Sequence, residues 1–205
     1  MEDVRELKEL QLDALKEVAN IGAGHAATAL SQLTSRTIMI NVPEVNIRPL
    51  EEVPELLGSA DDVIAAVLMH MMGDLTGRTL VLFPEASAKN LCDILFRRVP
   101  GTTAGFTPME ESGLKEAGNI LASAYMNALS DFMGMMLVPS VPSLVIDLSA
   151  AILTTAYLNF GHDRDYVFCV ETAFRVEGAQ PLRGHFLLLP DMPSLRAIFG
   201  AIRLS

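Results

Sequence analysis

Apolar residues recur every three to four positions at the start of the chain. Leu7, Leu10, Ala14, Val18 and Ile21 form a stripe with polar residues between, which predicts an amphipathic helix over residues 4–33. Leu114, Ala117, Leu121 and Ala124 repeat the stripe and predict a second helix over 108–133. Its start carries three signals: Thr107 as N-cap, Pro108 at the first helical position and Glu110 at the third. Runs rich in Val, Ile, Leu, Met and Phe predict strands over 37–48, 62–72, 77–83, 136–147, 165–176 and 183–189. Met72-Gly73-Asp74 and Glu177-Gly178 read as hairpin turns. Helices over 85–98 and 191–201 close each half, and 99–107, with a proline, two glycines and three threonines, reads as a linker. The order helix, strands, helix, twice over, predicts an α+β fold with an antiparallel sheet.

The order repeats because the sequence does. Leu15, Lys16, Glu17, Asn20 and Ile21 recur 99 residues later as Leu114, Lys115, Glu116, Asn119 and Ile120. The same offset carries Ala29-Leu30-Ser31 to Ala128-Leu129-Ser130 and Pro43 to Pro142. Further on, Leu82-Phe83-Pro84-Glu85 matches Leu188-Leu189-Pro190-Asp191 at an offset of 106. Seven residues therefore enter the second half between Pro142 and Pro190, and the largely apolar run 150–158 is the expected place. On composition alone, Glu-x2-Asn-x22-Pro is expected roughly 0.03 times in such a chain. It occurs twice, so the halves are a duplication.

Composition narrows the class of function. The chain has 205 residues, half of them hydrophobic and a fifth charged, with a positive mean hydropathy, which suits one packed domain and excludes wholesale disorder. The formal charge of −10 argues against a nucleic-acid binder, which needs a basic face, and suits contact with basic features of another protein. Two distant cysteines, Cys92 and Cys169, make neither a disulfide framework nor a four-ligand zinc site and fit a reducing compartment. The acidic start reads as no signal peptide, and the apolar run 63–72, interrupted by His70, is too short to span a bilayer. A cytoplasmic protein with no membrane insertion is expected.

The repeated polar residues carry the candidate chemistry. Asp13, Glu17 and Asn20 are spaced four and three apart, so one helix face carries all three, each just before a member of the apolar stripe. Ser112, Glu116 and Asn119 share one face in the second half, preceding Gly113, Ala117 and Ile120. A single exposed Glu or Asn on a helix is ordinarily just solvated; repetition in fixed register, with a proline 23 residues on, makes that account insufficient. An amide has no useful pKa and cannot be a general base, but it can hold a water by donor and acceptor at once and aim it at an electrophile. A neighbouring carboxylate can pair with a lysine of a docking partner and set the register. An acyl phosphate hydrolyses spontaneously, so orienting a water can suffice for it.

The pattern Asp/Ser-x3-Glu-x2-Asn-x22-Pro, present twice, resembles that of the CheC family of chemotaxis phosphatases, and Asn20-Ile21-Gly22-Ala23-Gly24 is close to the family's Asn-Ile-Gly-x-Gly stretch. Two intact motifs and no room for a flagellar-switch domain make CheC proper a closer match than CheX or FliY. The resemblance implies an internally duplicated, pseudo-two-fold fold: a single domain over 1–205 of two repeats, about 1–100 and 106–205, with two long motif-bearing helices. It implies a hydrolase that removes the phosphoryl group from the phospho-aspartate of the response regulator CheY. Asn20 and Asn119 would orient water, Glu17 and Glu116 would contact the regulator's lysine, and Asp13, Ser112, Pro43 and Pro142 would support them. No cofactor of its own is implied, since Mg2+ belongs to the regulator. CheD, the receptor deamidase, is a further implied partner, with 150–158 as the candidate contact. A non-catalytic module that regulates CheD or senses phosphorylated CheY is the rival reading. Two complete Glu and Asn pairs favour the enzyme.

Other signals are weaker. Gly22-Ala23-Gly24 lies inside a helical stripe rather than after a strand, so no dinucleotide loop is read; close approach of the twin helix is the expected reason for the glycines. His25, His70, His162 and His185 are scattered, without the spacing of a metal site, and read as surface or satisfied strand histidines. The methionines read as core filling or adaptable surface. Both cysteines read as structural.

Overall fold

The structure, a computed structural model, describes residues 9–41, 43–49, 52–53, 59–160, 166–176 and 181–204. The predicted helical residues 4–8 and the turn Glu177-Gly178 lie outside them. In chain order the elements are α1 (Glu9–Thr34), β1 (Ile38–Ile40), β2 (Glu44–Pro49), β3 (Val63–Gly73), β4 (Gly77–Pro84), α2 (Glu85–Leu95), α3 (Pro108–Met133), β5 (Leu137–Pro139), β6 (Ser143–Leu148), α4 (Ser149–Phe160), β7 (Tyr166–Val176), β8 (Leu182–Pro190) and α5 (Met192–Leu204). The fold is α+β around one antiparallel sheet. Among the described residues, no helix is long and apolar enough to cross a membrane.

The strand order β1-β7-β8-β4-β3-β5, with β2 also on β7 and β6 also on β3, reads the same from either edge once the halves are exchanged. Each motif helix therefore delivers its following strands to the other half's hairpin, and the halves interlock. The pseudo-dyad passes through the central pair Val81↔Phe186. Structural equivalence is thus 99 residues from Glu44 to Ser143, 103 from Val63 to Tyr166 and 105 from Val81 to Phe186. Four of the seven extra residues enter ahead of β7, where α4 lies, and the rest in and beyond the β7–β8 connection. This corrects the single insertion expected at 150–158. It also corrects the match of Leu82 with Leu188: these point to opposite faces of the sheet, Leu82 packing with Leu187 in one cluster and Leu188 with Phe83 in the other. A one-residue slip moves every side chain to the wrong face, so the equivalent of Leu82 is Leu187.

Alternation along the strands builds two cores. The larger lies under α1, α2, α3 and α5 and includes Val67, Met69, Val81, Phe83, Phe168 and Phe186. The smaller, on the opposite face, gathers Val53, Ile64, Ala66, Leu80, Leu82, Cys169 and Leu187 beneath Ile152 and Leu153 of α4. The apolar run 150–158 is thus part of a helix, which buries Ile152 and Leu153 on the sheet and leaves Ala151, Thr154 and Thr155 exposed.

Two predicted strands are interrupted. The strand read over 37–48 is β1 and β2, whose register on β7 slips by one residue between Ile40↔Phe174 and Glu44↔Glu171. The strand read over 136–147 is β5 and β6, with the same slip between Met71↔Pro139 and Leu68↔Ser143. Each slip is a bulge in an edge strand, and Pro43 and Pro142 sit at them, where a residue without an N–H costs no ladder hydrogen bond. Around the bulges, Asn41 N donates to Ala173 O at 3.0 Å and Ser140 N to His70 O at 2.9 Å. The helix expected over 85–98 ends at Leu95, because Arg97 takes a left-handed backbone with φ 54°. The turn after β3 depends on Gly73: its φ is 113°, and a Cβ there would stand 2.3 Å from Met136 O.

Candidate functional site

Both motifs face away from the sheet. On α1, Leu15, Val18 and Ala19 are buried, which turns Asp13, Glu17 and Asn20 to solvent. Ile21, next to Asn20, is 44% exposed. On α3, Leu114, Ala117 and Gly118 are buried; Ser112 and Glu116 are exposed and Asn119 is half-buried. The sequence expectation of two surface amides thus holds fully for Asn20 and partly for Asn119. Within each copy, the carboxylate and the amide lie one turn apart on the same face.

The dyad normal to the sheet makes α1 and α3 run in opposite directions, so the motifs lie on opposite sides of the helix crossing. The crossing is close at Gly22, where a Cβ would stand 2.7 Å from the Tyr125 ring and 3.0 Å from its Cα. Gly22 is therefore explained by the twin helix, as expected. Gly24 is not: nothing lies within 4 Å of a Cβ built there. Tyr125 is fixed from below, stacked on Phe186 with ring centroids 4.8 Å apart and with its hydroxyl 2.7 Å from Thr172 Oγ1. Burial pushes its pKa up to about 12, against the hydrogen bond to Thr172, so it stays a neutral prop against Gly22, which lies two residues beyond Asn20.

The second motif is anchored by a polar network that the sequence reading only partly anticipated. Thr107 caps α3 through Met109 N, and Glu110 returns the bond to Thr107 N at 3.0 Å, the predicted capping box. Glu110 also receives Arg98 at 2.5 Å. The Thr107 hydroxyl, then the Arg98 guanidinium, hold its carboxyl down at about 2. Buried Asp93 accepts from Gly101 N at 2.7 Å, Thr103 Oγ1 at 2.6 Å, Thr103 N at 3.0 Å and Thr102 Oγ1 at 3.1 Å. Burial alone would raise its pKa; these bonds, led by Thr103, outweigh it and hold it below the usual carboxylate range. The linker 99–107 is thus a bonded bracket between α2 and α3. Cys92 lies inside it, its thiol pushed up to about 12 first by burial and then by Glu110, consistent with a structural role.

The charges beside the motifs differ. Lys16 donates to Asp13 at 3.0 Å. Its equivalent Lys115 faces Ser112 at the same spacing, and no described carboxylate pairs with it. Arg97 lies between the end of α1 and the start of α3: its guanidinium reaches Ser35 Oγ at 2.9 Å, and the neighbouring Phe96 ring packs against Gly113. No motif spacing pointed to Arg97; its place comes from the fold.

Of the four histidines, His185 departs from expectation. It is buried in β8 with neither ring nitrogen hydrogen-bonded, and burial, then the Arg183 charge, lowers its pKa to about 4. His25 and His70 are exposed; His162 lies outside the described residues.

Comparison with known proteins matches this arrangement to one family. Residues 10–47 and 109–146, the motif helix with its following strands in each half, match the CheC-like family. The chain is 34% identical over 203 residues to the CheY-P phosphatase CheC of Bacillus subtilis, covering 96% of this chain and 95% of that protein. It is 26% identical over 132 residues to the flagellar motor switch phosphatase FliY of the same organism, covering 64% of this chain and 32% of FliY. Among solved structures, Thermotoga maritima FliY superposes with a TM-score of 0.80 at 20% identity, covering 97% of this chain and 98% of that one, which shows a shared fold.

Proposed function

The chain belongs to the CheC-like family, and from that premise we propose that it is a phosphatase that accelerates hydrolysis of the phospho-aspartate of the response regulator CheY. The observation that carries the mechanism is a complete Glu and Asn pair on the solvent face of both α1 and α3. A pure docking module needs one adhesive face and has no use for a water-orienting amide in each half.

In this mechanism Asn20 or Asn119 enters the regulator's site beside the acyl phosphate. The amide accepts from and donates to one water and holds it in line with phosphorus. The carboxylate of Glu17 or Glu116 pairs with the regulator's lysine and fixes the depth of insertion. Mg2+ remains with the substrate protein. Asp13, Ser112 and the two bulge prolines set helix and strand geometry around these groups. We further propose that the protein acts in the cytoplasm and binds CheD, with the exposed side of α4 around Ala151, Thr154 and Thr155 as the contact.

The test is decay of phosphorylated CheY with and without the protein. Wild type should accelerate it, and Asn20→Ala with Asn119→Ala should abolish the acceleration while the circular dichroism spectrum stays unchanged. Activity that survives the double change would overturn the water-orienting assignment. No acceleration by wild type would favour the binding module instead.

A further inference from the structure

The two motifs differ at their first position, and that difference has an electrostatic consequence. Asp13 takes up Lys16 at 3.0 Å, so the first copy presents Glu17 and Asn20 beside a neutralised pair. In the second copy Ser112 carries no charge, and Lys115 stands half-buried beside Glu116 with no described carboxylate on it. Arg97 adds a second cation at this end, held over the end of α1 by Ser35. Arg98 is matched by Glu110, and Glu111 lies one turn before Lys115. The motif lysine thus has a carboxylate partner in the first copy and none described in the second, on a chain whose net charge is −10.

Resting on the phosphatase reading, we propose that the first motif position decides which site receives the substrate: Asp13 closes off Lys16, whereas Ser112 leaves Lys115, with Arg97, to attract the anionic acyl-phosphate surface, so the regulator docks preferentially at the second motif. The phosphoryl group brings negative charge toward an acidic protein. A local cation raises the rate of productive encounter there without touching the reacting atoms. Lys115 and Arg97 are specificity-determining residues in this account; the chemistry stays with Glu116 and Asn119.

The test isolates each site and exchanges the deciding residue. In an Asn20→Ala background only the second site turns over. There, Ser112→Asp should raise KM for phosphorylated regulator roughly two- to fivefold at low salt, a larger change than in kcat. Ser112→Asn, neutral and of similar shape to Asp, should raise KM clearly less than Ser112→Asp. Lys115→Ala should reproduce the aspartate effect. In an Asn119→Ala background, Asp13→Ser should lower KM by a similar factor. Each shift should shrink at high ionic strength. Binding of beryllofluoride-loaded regulator to the same proteins gives a readout without turnover, and its affinities should move in the same directions. Ser112→Asp without effect, an equal effect of Ser112→Asn, or shifts that ignore salt would overturn the proposal while the phosphatase stands. Neither acceleration nor binding by wild type would instead overturn the phosphatase reading itself.

Discussion

Helices α1 and α3 present the same outward pattern and lie on the same sheet, yet they are held by different means. At the crossing, α1 supplies the small partners, Gly22 and Ala26, and α3 supplies the large ones, Tyr125 and Leu121, at positions related by the dyad. On the α1 side, Leu15, Val18, Ala19 and Val45 line a partly open pocket of about 40 Å³, closed from the α3 side by Tyr125 and Leu129. Beneath α3, a Cβ on Gly118 would stand 2.6 Å from Val67 Cγ2, so helix and strand are in tight contact there. A core needs only the right total volume, so the inward residues of a duplicated element are free to exchange large for small. On the proposed reading, the outward Glu and Asn would meet a partner of fixed chemistry and have no such freedom. The repeated polar residues are then the ones the reaction needs, and the unshared inward ones show how each half is supported.

The largest expected effect breaks that comparison at its polar support. Asp93→Ala removes four hydrogen bonds from a buried acceptor and leaves the Thr103 and Gly101 N–H groups without a partner, which should cost about 3 kcal/mol in urea unfolding. Turnover measured in an Asn20→Ala background should fall more than in an Asn119→Ala background, because the bracket orients only α3. The same network predicts acid sensitivity. Both carboxyls are held below their unfolded values, so their contribution is complete above about pH 4.5 and is lost as pH falls toward the folded value of about 2 for Glu110. Glu110→Gln should flatten stability across that window. An unchanged acid profile would remove the bracket from the account.

Much of this was legible before any coordinates. The exposure of Glu17, Asn20 and Glu116 follows from their offset against the apolar stripes, and the start of α3 follows from Thr107, Pro108 and Glu110. Other features were written in the chain but outweighed. Pro43 and Pro142 argue against unbroken strands, yet β-branched neighbours dominated the pattern and hid the bulges. Interlocking of the halves was not legible, because period-two alternation tells which face a strand buries and not which strand it joins. The pairing of Leu82 with the wrong leucine has the same origin: Leu187, Leu188 and Leu189 are indistinguishable until the sheet assigns their faces. The Asp93 bracket escaped because its bonds join a helix to a linker whose composition signalled only a break.

A middle-sized effect sharpens the comparison at the crossing. Gly22→Ala places a methyl against the Tyr125 backbone, which cannot move without carrying α3, and should cost roughly 1–3 kcal/mol. Gly24→Ala, two residues on and in open space, should instead stabilise by roughly 0.5–1 kcal/mol through helix propensity. Denaturant midpoints for the two single variants check the pair. Equal signs would mean that the glycines share one cause and that the close approach does not explain Gly22.

The smallest expected effect concerns the space under α1. Val18→Ile adds one methylene at a buried position that lines the cavity, on the helix face opposite Glu17 and Asn20. Filling existing space should stabilise by roughly 0.5–1 kcal/mol, since no neighbour has to leave its rotamer. Enlarging the equivalent residue of α3, as Ala117→Val, crowds a helix already in contact with β3 and should gain nothing. The informative quantity is the difference between these variants in melting temperature. If α1 gains while α3 does not, the looser packing beneath the first motif is real, and turnover in an Asn119→Ala background reports whether tightening it alters that site. If both gain, the two helices are equally underpacked and the contrast between them rests on the polar bracket alone.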